Sequence, residues 1–308
     1  MDKHRSADVV ITGAGPAGLT AALYCGRAGL VTVIVERVGP GGQAATTAHI
    51  ENYPGFPGGV MGPELAQRME EQVRAFGAET VLADVQRVES GDGFDVHTSE
   101  GTLSARALIV ASGARERPLG VPGEAEFRGR GVSYCATCDG AFYRNRHVVV
   151  VGGGDSAVEE ALFLTRFASK VTLVHRRDSL RAAKALQDRA FASAKMAFVC
   201  NSMVTTVLGR EKVEAVGLRN LKTGQEMEYA ADGVFVYIGQ VPNSEFIRHL
   251  VNTDAAGYIL TGEDMSTSLP GVFAAGDVRA KYLRQVATAV GDGAVAGVAV
   301  ERYLAGHP

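Results

Sequence analysis

A strand–glycine turn–helix–strand pattern occurs twice in this chain, and it limits the possible folds more than any other feature. The first copy has GxGxxG at residues 13–18 and ends in Glu36, and the second has GxGxxA at 152–157 and ends in His175. The glycines allow a tight turn that brings backbone NH groups close to a pyrophosphate at a helix N-terminus. A bare glycine motif also arises by chance or for packing, but the flanking strands and helix argue against that here. The chain is therefore predicted to be an α/β protein with two Rossmann-like dinucleotide-binding domains.

The two copies differ at the residue that ends the second strand. Glu36 can accept hydrogen bonds from a ribose, whereas its counterpart opens the run His175-Arg176-Arg177, with Arg181 a turn later. A carboxylate repels a 2′-phosphate and guanidinium groups bind it in bidentate fashion, so the second copy is predicted to prefer NADPH. The alternative is that these cations are only a solvated surface face.

A CxxC motif, Cys135 to Cys138, precedes the second copy and is followed at once by Asp139. One thiolate of such a pair can attack a partner's disulfide and the other can resolve the mixed disulfide, which favours a redox role. Half of a zinc site is the alternative, but neither Cys25 nor Cys200 forms a second CxxC and no HxxxH lies near, so no metal is expected. Cys25 and Cys200 are predicted to be buried thiols without a role, and Asp139 could be only a turn residue.

Composition is that of an ordinary globular protein and gives no support to several kinds of partner. The 308 residues suffice for two domains, and four cysteines are too few for a secreted disulfide framework. A net charge of −3 gives no reason to expect nucleic acid or an anionic membrane as partner. No apolar run approaches the ~18 residues that span a bilayer, and residues 1–8 lack the pattern of a signal peptide. We expect a cytoplasmic protein that does not enter a membrane.

Outside the repeats the sequence predicts less regular structure. Residues 39–56 have no usable period and are predicted to form a long functional loop. The proline and glycine cluster at 117–123 predicts a domain boundary. Two short strands are expected over 81–96 and one strand over 267–277, before a small-residue helix that Asp277 could cap.

Together these motifs resemble the low-molecular-weight thioredoxin reductases over nearly the whole chain. The shared motifs, in order, are GAGPAG at 13–18, GGQ at 41–43, ENYPGF at 51–56, CATCDG at 135–140, GGGDSAVEEA at 152–161, HRRDSLRA at 175–182, GD at 276–277 and RQ at 284–285. The resemblance implies a three-layer ββα architecture in both domains. It further implies that an NADPH-binding domain at 116–245 is inserted into a discontinuous FAD-binding domain at 1–115 and 246–308.

The resemblance also implies which residues contact each cofactor. Those for FAD are Gly13, Gly15, Pro16, Ala17, Glu36, Gly42, Gln43, Asn52, Val85, Gly276, Asp277, Arg284, Gln285 and Val286. Those for NADPH are Gly152, Gly154, Asp155, Ser156, His175, Arg176, Arg177 and Arg181. In the family, Cys138 faces the flavin, Cys135 attacks thioredoxin, and Asp139 acts as general acid and base. The implied reaction therefore carries electrons from NADPH through FAD and the disulfide to thioredoxin.

The implied partners are thioredoxin and a second copy of the chain in a homodimer. Because the nicotinamide and the disulfide both have to reach the flavin from one inserted domain, that domain is expected to rotate about its crossings near 115–120 and 239–244. Alternative acceptors are a glutaredoxin-like protein or a peroxiredoxin module, and an alternative donor is ferredoxin. A flavin-bearing redox sensor is a second class, whereas a ferredoxin–NADP reductase would have no use for the two cysteines.

Three positions depart from the usual pattern of the family. Gln240 stands where histidine is frequent, Leu283 stands where tyrosine is common, and Asp292 brings a charge into a helical stretch that is usually uncharged. These departures bear on redox tuning around the flavin and not on the reaction class.

Overall fold

The structure of the chain, a computed structural model, describes residues 5–47 and 49–307. Residues 1–4, Ala48 and Pro308 lie outside the described residues. Three predictions therefore lie partly outside the described residues. They concern the missing signal peptide at 1–8, the loop at 39–56, which includes Ala48, and the FAD domain, which ends at Pro308.

Strands make up much of the described chain. They are β1 (Arg5–Thr12), β2 (Thr32–Glu36), β3 (Glu79–Leu82), β4 (Val85–Ser90), β5 (Phe94–Thr98), β6 (Gly101–Val110), β7 (Ala114–Glu116), β8 (Val132–Ser133), β9 (His147–Gly152), β10 (Lys170–Val174), β11 (Met196–Val199), β12 (Ser202–Gly209), β13 (Val213–Asn220), β14 (Glu226–Ala230), β15 (Gly233–Tyr237), β16 (Gln240–Pro242) and β17 (Val272–Ala274).

The helices alternate with these strands. They are α1 (Pro16–Arg27), α2 (Gly42–Ala45), α3 (Gly62–Ala75), α4 (Ala136–Asp139), α5 (Asp155–Leu164), α6 (Lys184–Ala192) and α7 (Val286–Gly306), with 3₁₀ turns at Gly140–Tyr143 and Gly276–Val278. Both predicted repeats therefore fold as βαβ units, β1–α1–β2 and β9–α5–β10, and the α/β class is confirmed. In the described part of the chain, no helix combines the length and apolarity needed to cross a membrane.

The chain divides into two compact units. A discontinuous unit comprises Met1–Arg115 and Val241–Pro308, and an inserted unit comprises Glu116–Gln240. The crossings lie in β7 and β16, which pair as a two-stranded ribbon. The boundary predicted after residue 245 lies beyond the second crossing. The physical reason is that the Asn243 NH donates to the Gly113 carbonyl at 3.0 Å and Arg115 pairs with Glu245 at 2.7 Å, which ties residues 243–245 to the discontinuous unit.

The discontinuous unit is built around a mixed sheet. The strand order is β3-β2-β1-β6-β5-β4, and β17 also pairs with β6. Strands β1, β2, β3, β6 and β17 are parallel, while β4, β5 and the first half of β6 form an antiparallel meander. α1 and α7 pack on one face of the sheet. Their close approach needs small residues, since a Cβ at Gly293 would lie 2.2 Å from the Ala17 carbonyl oxygen.

The inserted unit has the three layers that the resemblance implies. Its central parallel sheet has the order β11-β10-β9-β15-β8. α4, α5 and α6 cover one face, where Val148, Val150 and Leu173 are fully buried. The antiparallel sheet β12-β13-β14 covers the other face through Val204, Val207 and their neighbours. Such near-continuous valine runs are typical of parallel strands buried on both faces.

Three local predictions differ from the structure. The segment 81–96 holds the expected pair of strands, since β4 and β5 form a hairpin, but residues 81–82 belong to β3, which pairs in parallel with β2. The strand expected over 267–277 is limited to β17, since only those residues have a partner in β6. The loop at 39–56 contains the short helix α2, and Ile50 bridges to Val60 in antiparallel fashion. These short elements depend on tertiary partners, which the local sequence does not specify.

Candidate active site

The first glycine turn joins β1 to α1 in the discontinuous unit. Gly13 has a φ of +101°, and a Cβ there would lie 2.5 Å from the Ala111 carbonyl oxygen, so no side chain fits. Gly15 is the N-cap of α1 with no atom within 4 Å of a Cβ position, and Pro16 follows at the first helical position. Gly42, at the start of α2, lies against Gly15. NH groups at a helix N-terminus beside open space suit a pyrophosphate.

Glu36 ends β2, and its carboxylate is tied to the glycine turn. Oε2 accepts the Ala14 NH at 2.8 Å, and Oε1 accepts the Val38 NH at 3.0 Å. The Ala14 carbonyl accepts the Gly41 NH at 2.7 Å. The acid, the turn and the GGQ segment are therefore one connected structure, and the carboxylate keeps lone pairs for ribose hydroxyls.

Asp277 does not cap the last helix, a role that the sequence left open. It lies in the 3₁₀ turn before α7, and α7 is capped instead by Gln285 in a capping box with Thr288. The buried Oδ1 of Asp277 has no hydrogen-bond partner among the described residues, and burial raises the pKa of this carboxyl. A buried acceptor without a donor is costly, and a hydroxyl of a bound group would satisfy it.

The rest of the C-terminal segment meets the first glycine turn and the ENYPGF loop. A Cβ at Gly276 would lie 2.8 Å from the Ala17 Cβ, so this segment reaches the first turn of α1. The Asn52 amide donates to Gln285 Oε1 at 3.0 Å. The Arg284 guanidinium lies 4.0 Å from the ring centre of Tyr258, and its buried Nε has no partner among the described residues.

Three further predicted FAD residues lie at the edges of this region. Gln43, in α2, donates to the Ala114 carbonyl. Val286, the first residue of α7, packs on the small cluster that holds the ENYPGF loop. Val85 begins β4 and packs in the core cluster on the sheet face away from α1. Most of the set thus converges on the N-terminus of α1, while Val85 lies at the sheet.

The second glycine turn joins β9 to α5 in the inserted unit. Gly152 has a φ of +156°, and a Cβ there would lie 2.4 Å from the Tyr237 carbonyl oxygen. Gly154 is the N-cap of α5 and, like Gly15, has no atom within 4 Å of a Cβ position. Asp155 accepts the Ala183 NH at 2.6 Å, which holds the arginine-bearing segment beside the turn, and Ser156 is exposed next to it.

His175, an NADPH contact implied by the resemblance, differs from the three neighbouring arginines in burial and charge. It follows β10 and is only 5% exposed, with its ring against Gly153. Burial, and then the neighbouring Arg181, lower the pKa of His175, so its ring is neutral near pH 7. Arg176, Arg177 and Arg181 are exposed and supply the positive charge. The buried Nε2 of His175 has no partner among the described residues and remains able to bind a ligand.

Cys135 and Cys138 form a disulfide with a Cα–Cα distance of 5.3 Å. Cys135 is the N-cap of the short helix α4 and is half-buried, whereas Cys138 is exposed on its first turn. The Cys135 Sγ accepts the Cys138 NH at 3.2 Å and lies 3.3 Å from Thr137 Oγ1. Asp139 is half-buried at the end of α4 and donates its NH to the Cys135 carbonyl at 3.1 Å.

Tyr237 links the second glycine turn to the redox helix, a contact that sequence reasoning missed. Its carbonyl crowds Gly152, and its hydroxyl accepts the NH of buried Ala136 at 2.8 Å. Burial raises the pKa of Tyr237, and the Glu160 carboxyl on α5 raises it further. The sequence feature that could have indicated this contact is a tyrosine at the carboxyl end of a parallel strand, the end at which the second glycine turn also lies. Cys25 is buried as predicted, but Cys200 is only half-buried.

The residues of both turns fit the cofactors of the hypothesis. In each turn the middle glycine faces open space at a helix N-terminus. The discontinuous unit adds the acid Glu36 and the unsatisfied carboxylate oxygen of Asp277, which suit the hydroxyls of FAD. The inserted unit adds exposed arginines, which suit the 2′-phosphate of NADPH.

Two dinucleotide-binding turns and a CxxC disulfide define a nucleotide-dependent disulfide oxidoreductase. The family model described as pyridine nucleotide-disulphide oxidoreductase matches residues 7–293, and the chain belongs to this family. Membership implies FAD and NADPH as cofactors, in agreement with the prediction.

Within this family, the chain is similar to proteins named thioredoxin reductase. A thioredoxin reductase of Listeria innocua is 53% identical over 299 residues, which are 96% of this chain and 93% of that protein. A thioredoxin reductase of Bacillus subtilis is 50% identical over 306 residues, 99% of this chain and 96% of that protein. The crystal structure of Lactococcus lactis thioredoxin reductase is 47% identical with a TM-score of 0.95, covering 97% of this chain and 99% of that one.

Proposed function

We propose that this chain is an NADPH-dependent flavoprotein that reduces thioredoxin through the Cys135–Cys138 disulfide. The observation that carries the proposal is the position of that disulfide. It lies at the N-terminus of α4, in the same unit as the second glycine turn, and α4 packs on α5 through Ala136 and Leu164. A disulfide held beside a nucleotide-binding helix suits electron transfer to a protein partner.

The discontinuous unit holds FAD and the inserted unit holds NADPH. When bound, FAD accepts a hydride from NADPH and passes an electron pair to the disulfide. Glu36, Asp277 and the first glycine turn bind and orient the FAD. Arg176 and Arg177 select NADPH over NADH by binding its 2′-phosphate. Ferredoxin as donor is the weaker alternative, because it would leave these exposed arginines without a role.

The two cysteines divide the exchange with thioredoxin. Two electrons and two protons convert the disulfide to a pair of thiols, with Asp139 protonating the departing sulfur of Cys135. The Cys135 thiol then gives its proton to Asp139 and attacks the disulfide of thioredoxin as a thiolate, and the departing thioredoxin sulfur takes up a proton. The Cys138 thiol next loses its proton and attacks Cys135 in the mixed disulfide. This step restores the Cys135–Cys138 disulfide, and the second thioredoxin sulfur takes up the proton and leaves, which releases reduced thioredoxin. The donors around the Cys135 Sγ support its role as the attacking thiolate.

The chain acts as a cytoplasmic homodimer. The cytoplasm is supported by Cys25 and Cys200, which stay unpaired and suit a reducing compartment.

The dimer is supported by an open groove of about 290 Å³ on the outer face of α1 and α7, where Tyr24 and Val295 are partly exposed. Light scattering after size exclusion tests the dimer, and a monomer at micromolar concentration would refute it.

Anaerobic titration with NADPH tests the electron path within the protein. Flavin and disulfide together should take up about twice the reducing equivalents that the Cys135→Ser variant takes up, because that variant keeps only the flavin. The readout is flavin absorbance, with the yellow purified protein as starting material. Equal uptake by the two proteins would show that the disulfide receives no electrons from the flavin.

A further inference from the structure

A buried ion cluster holds the segment before α7 against that helix. Asp292, on α7, accepts from Arg279 Nη1 at 2.9 Å and from Lys281 Nζ at 2.6 Å. It also accepts the backbone NH of Gly276 at 3.0 Å. The side chains of Asp292 and Lys281 are only 12% and 8% exposed. Nothing derived above explains why α7 carries a buried carboxylate at this position.

Asp277 lies in the same segment, but it takes no part in these ion pairs. Its buried Oδ1 has no hydrogen-bond partner among the described residues. Burial raises the pKa of Asp277, and the charges of nearby Lys281 and Arg284 oppose that rise. Within the described residues, however, the Lys281 ammonium pairs with Asp292. Two carboxylates, Asp292 in the ion cluster and Asp277 outside it, therefore compete for one buried ammonium, and Asp292 has it.

We propose that Asp292 is a positioning residue for FAD binding, because it holds Lys281 and so keeps the Asp277 carboxylate open to the cofactor. The inference deepens the proposed function and rests on Asp277 as an FAD contact. A buried ammonium that loses its partner retains a large desolvation cost, so it moves to the next carboxylate within reach. Without Asp292 that carboxylate is Asp277, and a Lys281–Asp277 pair blocks the oxygen that should accept a hydroxyl of FAD.

The test compares FAD affinity in Asp292→Asn and in the double variant Asp292→Asn/Lys281→Met. Asparagine keeps the shape of residue 292 and an acceptor for the Gly276 amide, but releases the ammonium. The dissociation constant comes from the rise of flavin fluorescence when the yellow holoprotein is diluted. We expect a weakening of about tenfold in the single variant, the order expected for one lost hydrogen bond to a charged group. The double variant should regain most of the affinity, since the competing ammonium is gone.

Asp8→Asn is the matched control, because Asp8 also accepts from one arginine and one backbone NH in the same unit. It should leave FAD affinity unchanged. Wild-type affinity in Asp292→Asn, or equal weakening in the single and double variants, would overturn the inference and leave the proposed function intact. If Asp292→Asn does not fold, the double variant must still be recovered yellow, and a colourless double variant would also overturn it. A wild-type protein that binds no FAD would overturn both.

Discussion

Cys135 and Cys138 differ in their surroundings, and the difference supports the roles proposed for them. The Cys135 Sγ has an NH donor and a hydroxyl close by, while Cys138 is the more exposed residue. Donors stabilise a thiolate, which supports Cys135 as the attacking sulfur, although exposure alone favours Cys138. We therefore expect Cys138→Ser to lose turnover and to form a stable mixed disulfide with thioredoxin.

Non-reducing electrophoresis and mass spectrometry of the adduct check this assignment. Cys135→Ser is the matched variant, and it should lose turnover without accumulating the adduct. An adduct that forms only with Cys135→Ser would reverse the two roles.

Arg177 is one of the exposed cations beside the second glycine turn. Its replacement by alanine should raise the KM for NADPH by about 10- to 100-fold, as for one lost charge-assisted hydrogen bond. The KM for NADH should not change, because NADH has no 2′-phosphate. Steady-state kinetics with both nucleotides provide the measurement. Lys184→Ala removes an exposed cation that pairs with Asp188 on α6, and it serves as the control. An equal rise of the KM for NADPH and for NADH would show that Arg177 does not bind the 2′-phosphate.

Glu160 is a buried carboxyl on α5 whose pKa burial raises from 4.5 to about 7. Below the lower value the carboxyl is protonated in both the folded and the unfolded chain, so it does not affect stability. As the pH rises between the two values, the unfolded chain releases the proton and the folded chain keeps it. The free energy of unfolding therefore falls, by up to about 3 kcal/mol in total.

Glu160→Gln removes this loss of stability. The Tm difference between the variant and the wild type should grow in favour of the variant from about pH 5 to about pH 8. Glu211→Gln, at an exposed position in the same unit, should show no such growth. Calorimetry at both pH values measures these Tm differences. A Tm difference for Glu160→Gln that does not change with pH would contradict the raised pKa of Glu160.

At the scale of elements, β15 holds the redox helix α4 through Tyr237. Tyr237→Phe leaves the buried Ala136 NH without an acceptor and loosens the first turn of α4. A less fixed pair of thiols has a lower effective concentration, so the disulfide should become about tenfold easier to reduce, which is about 30 mV. Redox equilibration with thioredoxin measures this potential. Tyr229→Phe, which loses a hydroxyl bonded to Thr172 in the same unit, should not shift it. Equal potentials in both variants would exclude the anchoring role.

The elements that the sequence predicted well are those whose causes are local. The two βαβ units follow from apolar strands, glycine turns and helix starts that lie within one short stretch of chain. β3 and β17 could not be bounded in this way, because each is defined by a strand partner far along the sequence. The burial of His175 could not be predicted either, because it comes from packing against Gly153. The pairing of Asp292 with Lys281 likewise depends on how α7 meets the preceding segment.

At the scale of the whole molecule, the duplicated nucleotide-binding pattern explains the division into two units. The chain leaves the discontinuous unit in β7 and returns in β16, so the disulfide and the second glycine turn belong to one inserted body. We propose that this body rotates about the two crossings during turnover, because the nicotinamide and the disulfide have to reach one flavin in turn. Gly239, with a φ of +116°, lies at the second crossing.

In the proposed function, electrons pass from NADPH through the Cys135–Cys138 disulfide to thioredoxin. The decisive test is NADPH oxidation by the purified yellow protein with thioredoxin as acceptor, beside Cys135→Ser and Cys138→Ser. We predict steady turnover by the wild type and none by either variant, although NADPH still reduces the flavin of both. Thioredoxin-dependent turnover that survives either substitution would contradict this electron path, and so would a wild-type flavin that NADPH reduces without any transfer to thioredoxin.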